Sequence, residues 1–344
     1  MAGSRRIGGE RHWPLAAATG LVASLLAITS GAAPGAGFAP SERILPATTR
    51  AWASASDAPA LRARFERSAL GRLLDEPLMQ PFYDSLEEKR SSVAGDRLGF
   101  GITAAELSSV SGGETAVAAV EREPGKIDGA LLVDTTGHDD AVAPLMETVI
   151  SRLEGKGAKP IAAPEGIRAF EVPPPAAKEG EAEPGKPRRL AFATVPGALL
   201  AGTGPEIVAA LLPALGDGRD DSLASLEAFR AIMEKVGATA PEGVPCGRWF
   251  VDPLAYADAQ LQSRPAPKKP SKRKPTNYVE MARRNGFDCI RGVGGIVFFG
   301  EGKVDLRHTT LVYAPATAKG PDRYEKAARI LEFPNVPAIT PPSW

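Results

Sequence analysis

Apolar positions in this chain recur with two periods, and the change from one to the other divides it into hairpins and helices. Thr48 to Ser56, TTRAWASAS, reads as a strand. Asp57 then stands as an N-cap before a helix whose apolar stripe is Leu61, Phe65, Leu70, Leu73 and Leu74, with Pro59 tolerated in the first turn and Pro77 as its stop. Leu78, Phe82 and Leu86 mark a second short helix. Thr103 and Glu106 form a capping box ahead of Leu107 and Val110, a third.

Two units of similar order follow. In the first, TAVAAVER and IDGALLVDT flank Glu123-Pro124-Gly125-Lys126, where proline pre-sets one turn angle and glycine accepts the positive φ of a type II turn. A helix comes next, with Val142, Leu145, Met146, Val149, Ile150 and Leu153 on one stripe and Gly155 as its stop. In the second, RRLAFATV and ALLAG flank Pro196-Gly197, and the helix carries Ile207, Val208, Leu211, Leu212 and Leu215. Further on, Leu226, Phe229, Met233 and Val236 define a helix, RWFV a short strand, and Asp252-Pro253 the start of a helix running through Leu261. The hairpin GGIVFFGEGKVDLRHTTLVYAPA and a helix near Asp322 to Leu331 complete the pattern. The expected fold is α+β: antiparallel hairpins in a sheet, helices packed against one face, and two half-units of similar order.

Three segments depart from this. Residues 1–33 carry Arg5, Arg6 and Arg11, then the apolar run Leu15 to Ser30 and the small residues Ser30-Gly31-Ala32, the pattern of an export signal. A retained single-span anchor is the alternative, since the run approaches the roughly 17 residues that cross a bilayer. Either way the body, residues 41–344, is expected outside the cytoplasm. Residues 173–187, PPPAAKEGEAEPGKP, lack the apolar side chains that repay ordering and read as a flexible insertion. Residues 264–275, RPAPKKPSKRKP, are a second insertion, and a strongly basic one.

Composition adds two constraints. Lysine plus arginine and aspartate plus glutamate balance at 41 each in 344 residues, so no overall field attracts or repels a polyanion. Any electrostatic partner must meet a local cluster. Lys268, Lys269, Lys272, Arg273 and Lys274 are that cluster, suited to an anionic envelope polymer or to lipid head groups. No aromatic residue interleaves with them, so nucleic acid is not expected. The only two cysteines, Cys246 and Cys289, are expected to form a disulfide in an oxidising compartment, worth about 4 kcal/mol by chain entropy.

The segments ERILPATTRAWASASDAPALRARFERSALGRLLDEPLMQPF, GIVFFGEGKVDLRHTTLVYAPA and YEKAARILEFPN resemble an uncharacterised family of exported bacterial proteins, common in planctomycetes and known as domain of unknown function 3352. The resemblance implies export or envelope association and an α+β body. It supplies no catalytic residue.

Several stretches mimic reactive centres. AGTGPEIVAALL has glycines before a helix, but Ile207 stands where a dinucleotide fingerprint needs its third glycine, and no Gly-Lys-Ser/Thr is present. Thr203 and Glu206 read instead as a capping box. His138-Asp139-Asp140 offers metal-ligand chemistry at adjacent positions that point apart; Asp139 or Asp140 serves better as a helix cap. Asp305 and His308 sit three apart on a strand and so on opposite sides. Asp305 and Arg307 share a face as a solvated ion pair. No cofactor, metal site or catalytic residue is assigned, and the oligomeric state is left open. The reading is an exported binding, scaffolding or assembly protein of the cell envelope. The alternative is an extracytoplasmic hydrolase or metal-dependent enzyme whose site only the fold would reveal.

Overall fold

A computed structural model describes residues 38–79, 81, 100–174, 187–238, 245–263, 277–299 and 306–315. The elements in chain order are α1 (Ser41–Ile44), β1 (Thr49–Ala55), α2 (Ala58–Arg67), α3 (Ala69–Leu74), α4 (Ala104–Val110), β2 (Thr115–Glu123) and β3 (Lys126–Asp134). They continue with α5 (Asp139–Gly155), β4 (Lys159–Ile161), β5 (Ile167–Val172), β6 (Arg188–Val195), β7 (Ala198–Gly202), α6 (Pro205–Leu211) and α7 (Glu227–Ala238). The last are β8 (Gly247–Val251), α8 (Pro253–Gln262), α9 (Tyr278–Arg284), β9 (Gly292–Phe299) and β10 (Leu306–Tyr313). All ten described strands join one antiparallel sheet in the order β10-β9-β8-β1-β2-β3-β7-β6-β5-β4. The fold is mixed α+β, as the alternation of hairpins and helices predicts.

Helices cover both faces of the sheet, where one covered face was expected. On β3, Leu131 and Val133 pack under α5 with Val142, Met146 and Val149, while Ala130 and Leu132 belong to a second core with Ile207 and Val208 of α6 and Phe229 and Ile232 of α7. The physical reason lies in the strands themselves: ALLV and AVAAV are continuous apolar runs, and a strand whose successive side chains are all apolar needs burial on both sides. The two hairpin-then-helix units therefore share an order and not a structure, because α5 and α6 leave to opposite faces.

Local chemistry fixes most boundaries. Asp57 caps α2 by accepting from the Ala60 N–H at 2.8 Å, and Asp252 caps α8 by accepting from Ala255 at 3.0 Å. Thr103 and Glu106 make the predicted capping box of α4. Gly125 and Gly197 take φ of 73° and 76° in the β2–β3 and β6–β7 turns, the left-handed region that glycine enters at least cost. The helix expected over Leu61 to Leu74 is two helices, because Ser68 is extended and caps both: its hydroxyl donates to the Phe65 carbonyl and accepts from the Gly71 N–H. After α5 the left-handed residue is Gly157, two beyond the expected stop.

From Phe82 on, the second short helix lies outside the described residues. The last hairpin's turn, the helix near Asp322 to Leu331, residues 1–33 and almost all of the segment 173–187 lie outside them as well. Among the described residues no helix is long and apolar enough to cross a membrane.

Candidate functional site

The basic segment with Lys268, Lys269, Lys272, Arg273 and Lys274 lies outside the described residues. The expected Cys246–Cys289 disulfide is not present: the two sulfurs are not bonded to each other, and both side chains are buried. Their places in the sheet explain why. The Cys246 N–H bonds to Val297 near one end of β9, whereas Cys289 precedes Gly292 at the other end. Five residue steps along the strand separate Gly292 from Val297, about 17 Å at 3.3 Å per step, while a disulfide needs Cα atoms within about 7 Å.

The glycine corner before α6 is a packing device. A Cβ on Gly202 would lie 2.4 Å from Ile207 Cγ2, so only glycine lets the helix close on the strand. Thr203 and Glu206 do not form the expected capping box. Gly204 is the N-cap without a side-chain bond; Glu206 pairs with Arg189 at 2.7 Å, and the Thr203 hydroxyl accepts from the Gly129 N–H at 2.9 Å. Nor do Asp139 and Asp140 cap α5, whose N-cap is His138 without a side-chain bond. Asp139 instead accepts from the Gly197 N–H at 2.8 Å and the Thr135 hydroxyl at 3.0 Å, tying the helix start to the β6–β7 turn. Among the described residues no three His, Cys, Asp or Glu side chains are arranged to hold a metal ion. Asp305 lies outside the described residues.

Two polar clusters are not assembled by the sequence pattern, although His308 of the second is weighed there with Asp305. The first is buried at one end of β1. Ser54 of β1 pairs with Arg248 of β8, and Glu114 enters beside them just before β2. Glu114 accepts from the Ser41 N–H at 2.9 Å, the Ser41 hydroxyl at 2.7 Å and the Ser54 hydroxyl. Arg248 makes a forked pair with Glu42, stands 3.5 Å from Glu114, and lies over the Trp52 ring at 5.2 Å; Trp52 Nε1 donates to the Ser41 hydroxyl at 3.0 Å. Burial pushes the Glu114 carboxyl above its ordinary range; Arg248 opposes the rise and Glu42 adds to it. These groups are engaged with one another, and their effect is to fasten α1 to the sheet.

The second cluster is on the surface, at the β10 end of the sheet. Trp249 of β8 faces Gly295 of β9, which in turn faces Thr310 of β10. A Cβ on Gly295 would lie 3.0 Å from Trp249 Nε1 and 2.2 Å from the Thr309 carbonyl oxygen. Glycine there lets the indole lie across β9 and donate to His308 Nε2 at 3.0 Å. Leu306 and Val312, on the same side of β10 as His308 and Thr310, are 49% and 42% exposed. The side chains on the other side, Leu311 and Tyr313, pack against the core that holds α7.

The two sheet edges differ in kind. β4 is three residues long and contains Lys159 and Pro160, a lysine and a residue that cannot donate to a ladder. β10 is eight residues long, has no proline, and Arg307 is its one charged residue. Among the described strands its only neighbour is β9. A free edge of this length presents unpaired backbone N–H and C=O groups to any extended chain.

No family model, no curated protein and no solved structure matches this chain.

Proposed function

We propose that this chain is an exported, non-catalytic protein of the bacterial cell envelope that works by binding and assembly, with the open β10 edge as its assembly surface. The observation that carries this reading is the asymmetry of the sheet among the described residues: one edge is blunted by Lys159 and Pro160, and the other offers eight residues of ladder beside the exposed Leu306 and Val312. Strand addition takes its affinity from main-chain hydrogen bonds and its selectivity from alternate side chains, and β10 supplies both. The export pattern of residues 1–33 and the resemblance to the domain of unknown function 3352 family support the envelope location. The basic residues Lys268, Lys269, Lys272, Arg273 and Lys274 supply the second contact, with anionic polymer or lipid head groups.

The test is retention of the purified mature chain on isolated bacterial envelopes. Thr310→Lys places a charge on the exposed edge and is expected to lower retention at least tenfold without changing the melting temperature. Unchanged retention removes the edge from the function. Deleting 264–275 is expected to release the protein from anionic vesicles at low salt, and equal binding with and without the segment removes that contact.

A further inference from the structure

Resting on the strand-addition reading, we infer that the partner at the open edge is a second copy of this chain, joined β10 to β10 about a twofold axis through Thr309. The geometry of an antiparallel pair sets the choice of register. A twofold normal to the sheet keeps each side chain on its own face, so directly opposed residues must have the same parity, and the axis must pass through a residue. With Thr309 at the axis, Thr309 faces its own copy, His308 faces Thr310, Arg307 faces Leu311, and Leu306 faces Val312.

That register brings together the two large apolar side chains exposed on this strand, Leu306 and Val312, once on each side of the axis. It also leaves no like charges opposed. The two Arg307 side chains are offset by four residues, about 14 Å along the strands, beyond the roughly 8 Å over which charges act at physiological ionic strength. Thr–Thr and aliphatic pairs are favourable cross-strand neighbours.

The blunted edge decides the form of the assembly. If both edges were open, β10 of one copy could add to β4 of the next, and that head-to-tail contact would propagate as a filament. Pro160 and Lys159 on a three-residue β4 stop that contact and leave only the isologous pairing, which closes at two copies. A strand pair of this length falls short of the about 1,600 Å² of a standard interface, so a dissociation constant of about micromolar order is expected. Dimerisation would double the number of basic segments carried by each particle and raise retention through avidity.

Sedimentation equilibrium of the mature chain from about 1 to 100 µM, a range set around that affinity, tests the inference. The wild type is expected to pass from monomer to dimer over this range. Thr309→Lys and Thr309→Glu each place like charges at the axis and are expected to weaken the dimer at least tenfold, with the circular dichroism of the folded chain retained. Mixing the two variants is expected to restore dimers, because lysine then faces glutamate. Single variants that dimerise as the wild type does, or a mixture that stays monomeric, overturn the inference. So does a wild type that is monomeric throughout; if Thr310→Lys still lowers envelope retention in that case, the edge binds a different chain and the assembly reading stands. If retention is also indifferent to Thr310→Lys, both fall.

Discussion

Glu114 holds Ser41 by two hydrogen bonds, accepting from its backbone N–H at 2.9 Å and from its hydroxyl at 2.7 Å, across 73 residues of sequence. With Trp52 donating to the same hydroxyl and Arg248 forked onto Glu42, the pair fastens the short first helix to the end of the central strands.

Glu114→Ala removes the acceptor of three donors in a buried place. Leaving such donors unsatisfied costs about 1–3 kcal/mol each where water cannot replace the partner, so a total loss of about 3 kcal/mol is expected as a fall in the urea midpoint. A loss below about 1 kcal/mol would show that the cluster fastens nothing.

The same residue sets a pH dependence. Burial raises the folded Glu114 carboxyl above its ordinary value of 4.5, so its contribution to stability is fully present below about that pH and is lost as pH rises through the folded value. Unfolding of the wild type and of Glu114→Gln between about pH 4 and 8, the span over which such a group titrates, should diverge. The wild type is expected to lose ground against the variant as pH rises; a constant difference across the range rejects the assignment.

Glu106 behaves in the opposite sense. Burial alone would raise its carboxyl, but hydrogen bonds from Arg152 and from the Thr103 cap outweigh it and leave the group lowered from 4.5. Its stabilisation is present above that value and is lost as pH falls through the folded one. Thr103→Ala should cost about 1 kcal/mol through loss of the capping box, read as a lower melting temperature. Wild-type stability in that variant would mean that the cap is dispensable.

Asp139→Ala strands the Gly197 N–H at the β6–β7 turn and should cost about 1–3 kcal/mol. Gly197→Ala forces a side chain into φ of 76° and should cost about 1–2 kcal/mol. Because both act on one turn, the double variant should fall short of the sum, which a double-mutant cycle in urea measures.

Cys246 and Cys289 should both react with a thiol reagent in denaturant without reductant, and react slowly in the native protein, since both are buried. Absence of thiol reactivity after unfolding would restore the crosslink.

Much of the fold was legible in the sequence because its signals are local. Asp57 before Ala58-Pro59, Thr103 with Glu106, and the glycines at 125 and 197 each act through bonds and angles within a few residues, and each stands where the pattern placed it. The similar signals at Thr203-Glu206 and Asp139 failed for a tertiary reason. Arg189 and the Gly197 N–H compete for those side chains, and both arrive from elsewhere in the chain.

The sequence by itself determined the α+β class, the order of hairpins and helices, and the glycines that turn the chain at 125 and 197, since periodicity and φ preference are properties of neighbouring residues. Its continuous apolar strands also held the two-faced burial that an alternating pattern would have denied. Only the tertiary structure decided which strands are neighbours. That choice put Cys246 and Cys289 at opposite ends of β9, gathered Ser41, Ser54, Glu114 and Arg248 into one buried cluster, and left β10 at an edge. Strand order is set by long-range packing of both cores at once, and no local spacing encodes it.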